Sequence, residues 1–481
     1  MSLRLKTIQG VLWNGLEIFG GKIVQILITI ILARILAPED FGIIGLLVIF
    51  TELSKVILDS GFSQALIRKQ DANQKDFTSV FYFNIIVGVI LYIFLYFSAP
   101  FISEFYNFPE LKKISRVIFF TIFINSFGIV QNAKIVQAVN FKILASRTII
   151  ANIFSGVIAI YLAYIGFGVW ALVWQMVIAS FLRVTLLWYF SKWLPSFNFD
   201  FEPVKKLFPF SRNLLLSGLF DVIASNIQTL LIGKFYTKTD LGYYSQAKLL
   251  AGIPSQTLTQ VIRNVTYPTL SILQDQQAQL KEAYRKVIKI AVFAVFPVML
   301  GLMATGKNLI PLVLGEKWIP AIPYFMVLCA AGAIFPLYSI NQNIFLVKGK
   351  SKLYLNVSIS KRLITLTAIF ITLQISVLAM VLGHLVATII NTLITMHFSG
   401  KIISYSLKEQ INDVLGVILI SMVMAGVMFY LDDVFSSYSN IIMLIIQTIL
   451  GTIVFFIVAF LFRLSMLSDI KDIMRNLFNN K

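Results

Sequence analysis

Long apolar stretches, interrupted by brief polar ones, fill this chain from end to end. A helix needs ~20 mostly apolar residues to cross the ~30 Å hydrocarbon layer of a membrane. Stretches of that length lie near 11–36, 41–60, 76–99, 114–138, 143–165, 168–192, 207–232, 241–268, 286–306, 320–347, 351–374, 376–399, 411–430 and 441–463. They predict an all-α polytopic membrane protein with about fourteen transmembrane helices. The residue-by-residue alternation of barrel strands is missing from these stretches.

Polar residues inside the stretches follow a helical period. Asn14, Glu17, Gly21, Gln25 and Thr29 recur three and four apart and share one face of the first helix, with Lys22 beside them. Ser217, Asp221, Ser225 and Thr229 repeat the pattern on the seventh helix. The second helix carries Glu52, Lys55 and Asp59; the eighth carries Ser245, Lys248, Gln256, Thr259 and Arg263. A charge at mid-bilayer costs roughly 2.5–3.5 kcal/mol even on lenient scales, so these faces should meet protein or water rather than lipid. Interhelical hydrogen bonding accounts for the serines and threonines alone. The charged set points instead to a hydrated cavity lined by helices one, two, seven and eight.

Shifted by two hundred residues, the chain resembles itself. Arg34, Asp40 and Gly42 fall on Lys234, Asp240 and Gly242. Further on the register drifts, and Gly166–Trp174 falls on Gln374–Leu382. The expected organisation is a six-helix lobe over 1–200, a second over 201–402, and an extra helix pair with a tail over 403–481. Six spans per repeat make the halves parallel, and transporters commonly bind substrate where such repeats meet.

Composition agrees with a membrane chain: 58% of residues are hydrophobic and 13% charged, against roughly 25% charged in a soluble domain. The net charge of +18 suits cytoplasmic loops and anionic membrane lipids rather than nucleic acid. Lys69, Lys75, Lys142, Arg147, Lys205 and Lys206 fall in predicted inner segments, whereas the turns Glu39-Asp40 and Asp432-Asp433 fall outside. This asymmetry predicts both termini in the cytoplasm. The first apolar stretch reads as a retained helix, not a cleaved leader. Cys329 reads as core filler, and His384 and His397 as packed side chains. Trp170, Trp188, Trp193 and Trp318 read as interfacial anchors, and Pro254, Pro268 and Pro297 as helix interruptions. With no metal-ligand cluster, P-loop or nucleophile triad in the sequence, no cofactor and no catalytic site are expected.

Cations outnumber acids within the spans, which suits an anionic ligand such as a pyrophosphate or an acidic sugar. Lys22, Gln25, Lys55, Arg183, Lys248 and Arg263 are the expected substrate-binding residues. Asp221, Glu17, Glu52 and Asp59 are the candidates for coupling to an ion. Glu52 and Lys55 also stand at the spacing of a local ion pair.

The hairpin from Gly10 to Ile67 resembles the polysaccharide-exporting branch of the multidrug/oligosaccharidyl-lipid/polysaccharide flippase superfamily. The matching residues are Gly10, Trp13, Gln25, Leu32 to Leu36, Pro38, Asp40 to Gly42, Asp59 to Phe62 and Ala65 to Ile67. Gly166 to Leu172 and Leu314 to Ala321 extend the resemblance, which is nearest to Wzx-type and teichuronic-acid-exporter-like members. It implies a MATE-like bundle in a bacterial inner membrane that flips an undecaprenyl-pyrophosphate-linked oligosaccharide by alternating access, driven by an ion gradient. Polysaccharide polymerase and assembly proteins are the implied partners. A lipid II flippase, a drug/cation antiporter and, from another class, a membrane glycan polymerase or ligase are the alternatives. A basic cavity disfavours the antiporter, and short outer loops disfavour the polymerase.

Overall fold

A computed structural model of the chain describes residues 20–462 except 70, 139, 198, 436 and 437. Asn14 and Glu17, with Gly10 and Trp13 of the hairpin, lie outside the described residues. What is described is helical throughout. The order is α1 (20–35), α2 (Pro38–Asp59), α3 (Phe62–Arg68), α4 (Gln74–Phe105), α5 (Leu111–Ser126), α6 (Ile129–Gln137), α7 (Phe141–Tyr164), α8 (Val169–Ser191), α9 (Glu202–Phe235), α10 (Lys238–Ile272) and α11 (Gln277–Leu314). After a 3-10 turn at Glu316–Ala321 come α12 (Ile322–Val347), α13 (Ser351–Thr372), α14 (Val377–Ile403), α15 (Leu407–Val434) and α16 (Asn440–Leu461).

Among the described residues, 11 helical segments are long and apolar enough to cross a membrane, or 12 when α5 and α6 form one span bent by 45°. The chain is therefore an all-helical, multi-pass membrane protein, as its apolar pattern predicts. Two stretches counted as spans from the sequence fall outside this number. Only 20–35 of the first is described, and the 35-residue α10 is too polar to qualify. The bend lies at Phe127 and Gly128, where no proline stands. Conversely, α10 runs through Pro254 and Pro268, and α11 through Pro297. A proline deletes one backbone donor, and a long packed helix absorbs that loss without ending.

The chain divides into two compact units, Met1–Gly242 and Tyr243–Lys481. In the first, α4 packs on α5, α7 on α8, and α2 on α9. Its aromatic core gathers Phe62, Phe77, Phe81 and Trp193 at the start of α4. There Asn73 and Asp76 cap one another's backbone N–H groups, and Lys69 Nζ closes on buried Asp76 at 2.7 Å. Two equivalent caps open α2 and α10: Asp40 accepts from the Ala37 N–H at 3.0 Å, and Asp240 from the Thr237 N–H at 3.3 Å. The repeat seen in the sequence thus reappears as the same turn made twice.

In the second unit α11 is the hub, with α12, α15 and α16 packed along it. Near its start, Arg285 donates to both oxygens of Asp413 on α15 at 2.7 and 2.8 Å. Lys289 and the Tyr405 hydroxyl join the same carboxylate. Near its end, Asn308 donates to Asp432 on α15 at 2.6 Å and to Gln447 on α16 at 3.1 Å. Asp432 and Asp433 belong to the last turn of α15 rather than to a loop. Acids there oppose the helix dipole, and Lys307, 3.4 Å from Asp432, offsets this. Trp318 and Trp193 are buried: Trp318 stands edge-on to Tyr243, and Trp193 edge-on to Phe77 and Phe81.

Candidate cavity between α1, α7 and α8

Small residues bring α1 onto α7. A Cβ at Gly156 would lie 2.2 Å from Ile28 Cδ1, so only glycine admits that approach. Asn152 then donates its side-chain amide to the Gly21 carbonyl at 3.2 Å. Together with α8, these two helices line a half-open cavity of about 470 Å³. Its polar wall is Lys22, Gln25 and Thr29 from α1, Thr148, Asn152 and Ser155 from α7, and Gln175 and Arg183 from α8. Arg183 donates Nε–H to its own helix at Ala179 O, 3.1 Å away, which fixes the root of the guanidinium.

Among the described residues the lining contains two cations, three amides, three hydroxyls and no carboxylate. The two cations only donate, the amides and hydroxyls both donate and accept, and the charge of the set is positive. It fits a ligand rich in acceptor oxygens, a phosphate, a carboxylated sugar or both, held by charge-assisted hydrogen bonds.

Three of the expected binding residues, Lys22, Gln25 and Arg183, therefore meet in one place. The others stand elsewhere. Lys55 is exposed on α2 and makes no ion pair with Glu52 among the described residues. Glu52 accepts instead from Asn226 of α9 at 2.5 Å. Asp59 accepts from the Ser63 N–H at 3.3 Å and so caps α3, where the chain turns through the left-handed Ser60 and Gly61. Asp221 lies on an exposed position of α9. Lys248 and Arg263 belong to the second unit: Lys248 approaches the Tyr244 ring at 5.9 Å, and Arg263 donates to Gln260 at 2.9 Å. In the acidic first turn of α2, Glu39 pairs with Lys238 at 3.3 Å.

Sequence reasoning missed Thr148, Asn152, Ser155 and Gln175. The signal was available, since Thr148, Asn152 and Ser155 are four and three apart on α7 and Gln175 and Arg183 are eight apart on α8. They went unnoticed because uncharged polar side chains are common in spanning helices and carry little weight singly.

The family described as polysaccharide biosynthesis protein matches residues 31–323. The teichuronic acid biosynthesis protein TuaB of Bacillus subtilis strain 168 is 26% identical over 432 residues, 89% of each chain. The lipopolysaccharide biosynthesis protein WzxC of Escherichia coli K12 is 23% identical over 408 residues, 82% of this chain and 81% of that one. Among solved structures, the lipid II flippase MurJ in an inward closed conformation superposes with a TM-score of 0.74 at 18% identity, over 95% of this chain and 100% of that one. That likeness establishes the fold. The chain therefore belongs to the polysaccharide biosynthesis protein family, as its N-terminal hairpin led us to expect, and is a Wzx- and TuaB-like transporter rather than an enzyme, built on the MurJ fold.

Proposed function

We propose that this protein moves an undecaprenyl-pyrophosphate-linked oligosaccharide, an O-antigen or exopolysaccharide repeat unit, across the bacterial inner membrane. In this reading the chain forms about fourteen spans, with both termini in the cytoplasm. Its binding face opens to one side of the membrane and then to the other, drawing on an ion gradient. The observation that carries the proposal is the cavity of α1, α7 and α8, whose described lining brings Lys22 and Arg183 together among amides and hydroxyls. A drug/cation antiporter needs negative charge where its substrate sits, and this lining offers the opposite. The names of the relatives, which refer to teichuronic acid and lipopolysaccharide biosynthesis, support a glycan cargo.

Lys22, Gln25 and Arg183 hold the anionic part of the cargo, with Lys55, Lys248 and Arg263 as further cationic contacts along its route. Asp221, Glu17, Glu52 and Asp59 are the carboxylates available to an ion. Of these, Glu52 also accepts from Asn226, and Asp59 from the Ser63 N–H.

Reconstitution in vesicles tests the proposal. A lipid-linked oligosaccharide should cross between leaflets in the presence of the protein, and faster under a proton or sodium gradient. Efflux of a cationic dye without any glycan transfer would overturn it, and transfer of lipid II alone would move the assignment to the cargo of MurJ. Lengthening of the glycan by the purified protein would make it a polymerase.

A further inference from the structure

The strand of chain between α8 and α9 has two unlike sides. One side is bound to the protein. Trp193 is buried and donates its indole N–H to Gln74 at 2.6 Å. The Gln74 amide in turn donates to the Leu194 carbonyl at 2.8 Å. The Ser196 N–H donates to Thr78 Oγ1 at 3.2 Å. Lys134 lies over the Phe77 ring at 4.4 Å and reaches the Trp193 ring at 5.4 Å. The segment is thus fastened along the first turns of α4.

The other side is apolar and bare. Leu194 is 69% exposed, Phe197 98%, Phe199 46% and Phe201 56%. Exposed cations flank it, Lys192 before, Lys205 and Lys206 after, and Lys75 on the neighbouring start of α4; exposed Asp200 lies within it, and Lys206 pairs with Glu202 at 2.8 Å. Four large apolar side chains held outward by an anchored backbone would be costly in water. They stand where α8 ends, which is the depth of the membrane interface for a helix that spans. Aromatic rings favour that layer, and lysines beside them extend toward anionic head groups.

We infer that residues 194–197 and 199–201 lie in the interfacial layer of the bilayer, with Phe197 and Phe199 inserted among lipid chains and the flanking lysines at the head groups. The occupant of this face is lipid. The connection between α8 and α9 is then a membrane-fixed strap rather than a free cytoplasmic loop.

The test is a fluorescent label at Phe197→Cys, in a Cys329→Ala background so that no other thiol reacts. The full-length protein is reconstituted in phosphatidylethanolamine/phosphatidylglycerol vesicles. Spin-labelled lipid should quench the label several-fold more than aqueous iodide does. A label at Asp71→Cys, in the loop before α4, should show the reverse preference. Phe199→Cys provides a second reporter if the first variant does not fold. Strong iodide quenching with no effect of spin-labelled lipid at both positions would overturn the inference and point to a protein partner for this face.

Discussion

Gly42 and Gly242, two hundred residues apart, press their backbones together. A Cβ on Gly42 would lie 1.8 Å from the Lys238 carbonyl oxygen, and one on Gly242 would lie 1.9 Å from the Pro38 carbonyl oxygen. The contact is reciprocal: each glycine meets the residue four before the other, in the turn that the repeat makes twice. Backbone cannot rotate away as a flexible side chain can. Gly42→Ala and Gly242→Ala should therefore each destabilise the protein by about 1–3 kcal/mol, or more, through overpacking. Thermal unfolding in detergent checks this. Gly426→Ala, which has nothing near its added methyl, should leave the midpoint unchanged.

Within the cavity, Lys22→Gln and Arg183→Gln should each slow glycan transfer tenfold or more while leaving the midpoint of unfolding near its original value. Loss of one charge-assisted hydrogen bond is worth about 1.5–3 kcal/mol, which is tenfold to over a hundredfold. Arg183→Lys should recover only part of the rate, because an ammonium lacks the planar fork. Rates of leaflet transfer in vesicles are the measurement.

Glu52 and Asn226 separate a structural role from a coupling role. Glu52→Gln keeps an acceptor for the Asn226 amide and should unfold at nearly the same temperature, whereas Glu52→Leu removes it, leaves the amide its bonds to Val222 O and Ser225 Oγ, and should cost about 0.5–1.5 kcal/mol. Asp221→Asn, by contrast, should abolish stimulation by an ion gradient and leave unstimulated transfer intact. Full stimulation in that variant would remove Asp221 from the coupling scheme.

At the start of α11, Asp413→Asn weakens the attraction to Arg285 and Lys289 together. We expect a loss of about 1–3 kcal/mol, read as a lower unfolding midpoint. Removing Arg285 as well should cost less than the sum of the two single changes, because the two side chains share one interaction.

The helices were legible because lipid leaves a chain few choices: each span needs its ~20 apolar residues, and the chain supplies them openly. Lys22 and Gln25 were legible as members of a stripe on one helix. Their meeting with Arg183 was not deducible as geometry, because it depends on how α1, α7 and α8 pack, and contacts such as Gly156 against Ile28 follow no sequence period. The partner of Glu52 was hidden for a related reason. Its nearest charged neighbour in sequence is Lys55, yet its partner, Asn226, is 174 residues away. The prolines of α10 and α11 misled because a missing donor marks where a helix is able to bend, and tertiary packing decides whether it does.

Clamped to α11 near both of its ends, α15 with its partner α16 has a standing different from that of an appendix. Ending the chain before Leu407 would turn Arg285, Lys289 and Asn308 from satisfied side chains into bare polar groups on a spanning helix. Selection to shorten the protein would have to rebuild α11 first, and any motion of α11 carries the last two helices with it as cargo.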